Sequence, residues 1–148
     1  MYKTILVPLD GSDRAEAILP HAEQLAKLGN GKIILMQVVE PAYASMSREI
    51  PMMISQELTQ LREEEVTAYL SNRRKKLEKK GIKALTRVEH GPIVSTIIQV
   101  ADREGADLIA LASHGRSGLA RVFYGSVAAG LLQHADRTLL IIRSTGEK

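Results

Sequence analysis

The chain has no cysteine and no tryptophan, and its aromatic residues are one phenylalanine and four tyrosines in 148 positions. Without thiols, disulfides and thiolate metal sites are excluded, and a reducing, cytoplasmic setting is the natural expectation. So few aromatics leave almost no platforms on which single-stranded nucleic acid can stack. No apolar run approaches the ~20 residues of a membrane span, and the one in "MYKTILVPLDGSD" is too short for a signal peptide. Neither nucleic acid nor a membrane is therefore expected as a partner. Charge imbalance is small as well: 20 Lys and Arg against 17 Asp and Glu give a net +3. Much of the excess sits in "NRRKKLEKK", Asn72 to Lys80, which reads as a solvated helix face.

What is present is an ordinary globular composition, 45% hydrophobic and 25% charged, in a chain the length of one domain, residues 1–148. Apolar patterning switches repeatedly between strand and helix character. "TILVPL" (4–9), "KIILMQVV" (32–39), "KALTRVEH" (83–90), "DLIALAS" (107–113) and "TLLIIR" (138–143) read as strands. Four are nearly continuously apolar, as strands covered on both faces must be. The third alternates Arg87 and Glu89 with Leu85 and Val88, the pattern of an exposed edge.

Helices are predicted between the strands. Asp13 and Glu16 form a candidate capping box for the first, Pro20 kinks it and Gly29 ends it. Its inward stripe is Ala15, Ile18, Leu19, Ala22, Leu25 and Ala26. A charged helix covers roughly 55–80 and stops at Gly81. The next has Pro92 in its first turn, buries Ile93, Ile97, Val100 and Ala101, and stops at Gly105. A last helix runs from Gly125-Ser126 to about His134. The segment 41–56 fits this scheme least: Met46, Met52 and Met53 either fill gaps in the core or belong to a mobile flap. Strands alternating with helices imply an open parallel sheet covered on both sides, a single-domain α/β fold.

Several sharp motifs fail. Gly29-Asn30-Gly31 starts like a dinucleotide fingerprint but leads into a strand, and Gly31-Lys32 is followed by Ile33 where a Walker motif needs a hydroxyl. His21, His90, His114 and His134 lack metal-ligand spacing. "GRSG" (115–118) is one residue short of a nucleophile elbow. Two features survive. "VPLDGSD" joins a strand to a helix, and open α/β sheets bind ligands outside the carboxyl ends of their strands, where strand order reverses. With the order 3-2-1-4-5, taken from the fold class, the loops after strands one and four flank that point. The second feature is "LASHGRSGLARVFYGSVA" (111–128): a helix starting near Ser126 turns free N–H groups toward the loop, and Gly115 and Gly125 allow close backbone approach. Ser126 can cap the helix, Arg116 and Arg121 add positive charge, and Gly118 serves loop flexibility. The stretch is either a phosphate cradle or a capped helix after a surface loop.

At these residues the chain resembles the universal stress protein family. "YKTILVPLDGSDRAEAIL" is similar to that family's opening strand and helix. "HGPIVSTIIQVADREGADLIALASHGRSG" is similar to its third helix and fourth strand, and "YGSVAAGLLQHADRTLLIIR" to its closing helix and strand. The resemblance implies the Rossmann-like sheet of order 3-2-1-4-5. ATP-binding members carry Gly, two residues, Gly, nine residues, then Gly with Ser or Thr. Here Gly115 and Gly125-Ser126 match, while Ala112 stands at the first glycine and Ala128 where a hydroxyl often follows. The resemblance further implies base and ribose near Pro8, Leu9, Asp10 and Val38. Leu111, Ala112, His114 and Gly115 then line the middle of the site, and Arg116, Gly125, Ser126 and Val127 lie toward the phosphates. Asp10 is either a ligand acceptor or a turn-former before Gly11, and Val38 either a contact or an ordinary strand end.

Three functions are therefore weighed. The first is a stress-response regulatory protein binding an adenine nucleotide, ATP with Mg2+ held mainly through the phosphates. The second is a protein-interaction module of the same fold without nucleotide, which Ala112 favours. The third, a slow ATPase, lacks a carboxylate placed for the γ-phosphate. The apolar closing strand "TLLIIR" at a sheet edge points to a homodimer that covers it.

Overall fold

The computed structural model describes residues 1–40, 52–114 and 125–144. Its strands are β1 (Thr4–Pro8), β2 (Lys32–Val39), β3 (Lys83–His90), β4 (Leu108–His114) and β5 (Leu139–Ser144). The helices are α1 (Asp13–Glu16), α2 (Leu19–Gly29), α3 (Met52–Lys79), α4 (Ile93–Glu104) and α5 (Ser126–His134). The five strands form one parallel sheet of order β3-β2-β1-β4-β5, the expected single-domain α/β arrangement.

Period-two alternation of the apolar strands feeds two buried layers. Ile33 and Leu35 of β2 pack with Leu19, Ala22 and Ala26 of α2 and with Val66, Leu70 and Leu77 of α3. Ile34 and Met36 point the other way, to Ile97, Val100 and Ala101 of α4 and Ala128 and Leu131 of α5. Each fully buried Leu or Ile contributes about 1.5–3 kcal/mol. β3 is the edge its charges predicted. β5 is the other edge, pairing among the described residues with β4 alone, and its residues Leu139 to Ile142 stay half-buried.

Several local expectations are corrected. Ser12, not Asp13, caps α1: its hydroxyl accepts from the Ala15 N–H at 3.1 Å. The N3 position is then Ala15, so Glu16 lies too far along to close a capping box and turns to α3 instead. Pro20 does more than kink the first helix. The chain breaks into α1 and α2, and Pro20 sits in the first turn of α2, where its missing N–H costs nothing. Asn30, at φ 51°, takes the left-handed cap expected of Gly29. Gly29 and Gly31 are small for another reason: a Cβ on them would lie 2.6 and 2.5 Å from the Tyr2 carbonyl oxygen. Met52 and Met53 are exposed and fill no gap in the core. Residues 41–51, Met46 included, lie outside the described residues.

Candidate functional site

The sheet opens at one place. β1 and β2 pair along five residues, from Thr4↔Lys32 to Pro8↔Met36, and the Leu9 N–H extends the ladder to the Met36 carbonyl at 2.8 Å. β4 and β5 pair along six. β1 and β4, however, share only Ile5↔Leu108 and Leu6↔Ile109. Beyond Leu6 the two halves of the sheet splay apart at the point where strand order reverses.

A crevice of about 850 Å³, its open side included, fills that gap. Pro8, Leu9 and Asp10 follow β1 into it, Val38 comes from β2, and Leu111 and Ala112 come from β4. Gly125, Ser126 and Val127 close it from the start of α5. Sequence-predicted residues from four separate segments therefore meet around one cavity. His114 ends β4 opposite Ser144. Gly115, Arg116, Gly118 and Arg121 lie outside the described residues.

Local chemistry bears on the two readings of Asp10 and differs from expectation at Ser126. Asp10 is a turn-former: its Oδ1 accepts from the Ser12 N–H at 2.9 Å and from the Ser12 hydroxyl at 2.6 Å. No hydrogen bond to Oδ2 is found among the described residues, so one oxygen still faces outward. Ser126 does not cap α5. Gly125 is the N-cap, at φ 83° and ψ 154°, with no side-chain hydrogen bond to the helix. Glycine alone adopts that backbone freely, and among the described residues no side-chain cap reaches the first N–H groups of α5. Ala112 lines the crevice while its methyl packs against the buried layer beneath α2 and α3.

The structure adds residues that sequence reading missed. Ser12, Arg14 and Gln37 also line the crevice, as do Ile93 and Ile97 of α4. The Arg14 side chain makes no ion pair or hydrogen bond among the described residues. Gln37 is 5% exposed, and its Oε1 has no hydrogen-bond partner among the described residues. A signal for it existed: Gln37 is the one polar residue inside "IILMQVV".

A half-buried polar cluster ties α1 to α3 beside the cavity. Glu16 accepts from the Tyr69 hydroxyl at 2.5 Å and from Arg73 Nε at 2.8 Å, both on α3. Burial, then the hydrogen bond and charge of Glu16, pushes the Tyr69 phenol above its ordinary range, so it stays protonated as the donor. Arg73 stacks over the Tyr69 ring at 4.9 Å, and its hydrogen bond to Glu16 strengthens its hold on the proton. Among the described residues, no group of three acidic, His or Cys side chains is placed to hold a metal ion, and no helix is long and apolar enough to cross a membrane.

Comparison with known proteins agrees with this geometry. The model of the universal stress protein family matches residues 1–143. Universal stress protein MJ0531 of Methanocaldococcus jannaschii is 31% identical over 144 residues, covering 97% of this chain and 83% of that protein. Universal stress protein MJ0577 of the same organism is 27% identical, covering 97% of this chain and 96% of that protein. The solved structure of MJ0577 matches with a TM-score of 0.84 over 99% of both chains at 28% identity. A universal stress protein from Archaeoglobus fulgidus, solved in complex with dAMP, shares the fold at 22% identity and a TM-score of 0.63, with 95% and 98% of the two chains covered. With a family model spanning nearly its whole length and a relative above 30% identity, the chain belongs to the universal stress protein family.

Proposed function

We propose that the crevice binds an adenine nucleotide, ATP with Mg2+, and that the protein is a cytoplasmic regulator of the stress response whose partners read the bound state. The observation that carries this reading is the splay of β1 from β4, with the open N-terminus of α5 at its rim. Such a terminus favours a phosphate group by roughly 0.3–1 kcal/mol, more where it is shielded from water. In this reading Pro8, Leu9, Asp10 and Val38 hold base and ribose, with the outward oxygen of Asp10 accepting from a hydroxyl or amine. Leu111 and Ala112 form the middle of the site. Gly125, Ser126 and Val127 meet the phosphates through backbone N–H groups, and Arg14 supplies a cation. With no acidic cluster among the described residues to hold it, Mg2+ would be carried by the phosphates themselves. Self-association through β5 completes the proposal, since that edge is half-buried and unpaired on its outer side.

Thermal unfolding tests the nucleotide. Ligand at about 100 times its Kd stabilises a native protein by roughly 2.7 kcal/mol. ATP with Mg2+ at millimolar concentration is expected to raise Tm, and an unchanged Tm would remove this reading. A second reading, a protein-interaction module without nucleotide, is favoured by the Ala112 methyl where binders of the family carry glycine. Mass spectrometry of the purified protein separates the two: co-purifying adenine nucleotide supports the first, and its absence together with capture of a protein alone supports the second. Turnover requires a base beside the γ-phosphate. Release of more than one phosphate per site in a labelled ATP time course would make the protein an enzyme.

A further inference from the structure

Helix α3 is longer than the sheet it covers. Its 28 residues span about 42 Å, against about 26 Å for the eight residues of β2 or β3. Val66, Leu70 and Leu77 hold its inner face on the sheet. Glu63 meets His90 at the end of β3, so residues 52–62 run past the sheet. At about 100° per residue, the face turned away from the buried one is a stripe that runs from Glu57 through Leu61, Glu64 and Ala68 to Lys75 and Lys79. All six residues are exposed, Leu61 at 57%.

The protein pairs most of the charges on and just after α3: Arg62 with Glu65, Glu63 with His90, Arg73 with Glu16, Arg74 with Glu78 and Lys80 with Glu23. Glu57, Glu64, Lys75 and Lys79 have no such partner among the described residues. These four are sorted by sign, the acids in the first half of the helix and the bases in the second. A helix dipole favours acids in the first turn and bases in the last, and its effect fades within a turn. Of the four, it accounts for Lys79 alone.

We infer that the outer face of α3 is an interface for a second copy of this chain, the two helices packing antiparallel across a two-fold axis at Ala68. In that register Glu57 faces the second copy's Lys79, Leu61 faces its Lys75, and Ala68 faces its own counterpart, so every contact is made twice. Lys75 lays its aliphatic stem over Leu61 and brings its ammonium within reach of Glu64. The small Ala68 side chain lets the axes come within the roughly 8–10 Å of packed helices. Parallel packing would set acid against acid and base against base, so the order of signs selects the antiparallel pair. This surface lies over β2 and β3, across the sheet from β5. Its failure would leave the nucleotide reading and the pairing through β5 as they stand.

The test uses the intact protein with the charges of one half reversed at a time, Glu57→Lys with Glu64→Lys, and Lys75→Glu with Lys79→Glu. In sedimentation at low ionic strength, wild-type protein is expected to associate, and each variant to lose about tenfold or more in affinity. An equimolar mixture of the two variants is expected to recover it, since each all-basic stripe then faces an all-acidic one. Because the chain has no cysteine, Ala68→Cys reads the register directly: mild oxidation is expected to link two copies through it. Lys79→Cys is expected to link only when mixed with Glu57→Cys. Association equal in wild type and both charge variants, as pairing through β5 alone would give, overturns the inference. So does a monomeric wild-type protein, or an Ala68→Cys chain that links no faster than Lys79→Cys alone. If a charge variant fails to fold by circular dichroism, the cysteine series decides.

Discussion

The two ends of the sheet are built from similar residues and finished in opposite ways. At the amino end, where β1 and β4 begin, polar groups are closed by the protein itself. Asp107 accepts from the Lys3 and Thr4 N–H groups at 2.9 and 3.2 Å. Lys3 Nζ donates to the last carbonyl of α2, that of Gly29, at 2.6 Å. Arg137 caps the end of α4 through the Ala101 and Ala106 carbonyls and pairs with Asp102, with Nε alone left over. At the carboxyl end the strands splay, α5 starts without a side-chain cap, Arg14 has no counter-ion among the described residues, and Gln37 Oε1 has no donor. The difference teaches where to look for function. A fold that satisfies nearly all its polar groups at one end has the means to do so at the other, and groups left open there are candidates for a ligand to complete.

Variants at each end break or sharpen that contrast. The largest effect is expected from Gly125→Val, which forces a β-branched residue to φ 83° at the rim of the cavity. The ATP-induced rise in Tm should vanish, while circular dichroism still reports a folded protein. At the sealed end, Gly31→Ala places a methyl 2.5 Å from the Tyr2 carbonyl. It should cost about 1–3 kcal/mol of stability in denaturant titrations and leave the ATP-induced shift intact. If it also abolished binding, the two ends would not be independent. Arg14→Gln should weaken ATP severalfold and flatten the salt dependence of binding, because it removes one cation that no described residue pairs with. The smallest effect belongs to Ala112→Gly. Removing the methyl should tighten ATP by a few-fold, against a loss of about 0.5–1 kcal/mol for a glycine within a strand. Unchanged affinity would show that the methyl, which packs toward the buried layer, does not crowd the ligand.

Legibility follows the range of the forces involved. The five strands were readable because runs such as "KIILMQVV" and "DLIALAS" are apolar at nearly every position, and only burial on both faces explains that. The start of α5 was readable from Gly125-Ser126, although its cap proved to be the glycine backbone and not the serine hydroxyl. Asp13 reads as the cap in place of Ser12 because Asp, Gly, Ser and Asp in succession all suit a cap, and only the backbone angles choose among them. Glu16 could not be assigned from its own neighbourhood. Its partners, Tyr69 and Arg73, are more than fifty positions away on α3. Gln37 was passed over because a single polar residue in an apolar strand carries no label saying which way its row faces.

By itself, then, the sequence determined the elements and their alternation, and with them a parallel sheet with helices on both faces. Hydrophobic periodicity, glycine and proline act within a few residues, so they are written locally. Tertiary structure alone decided that β1 and β4 part after two paired residues, that one Asp10 oxygen is spent on Ser12, and that Gln37 Oε1 is left without a partner among the described residues. Each of these depends on groups brought together by chain closure, and no local pattern records which donor will be missing from a site once the chain has folded around it.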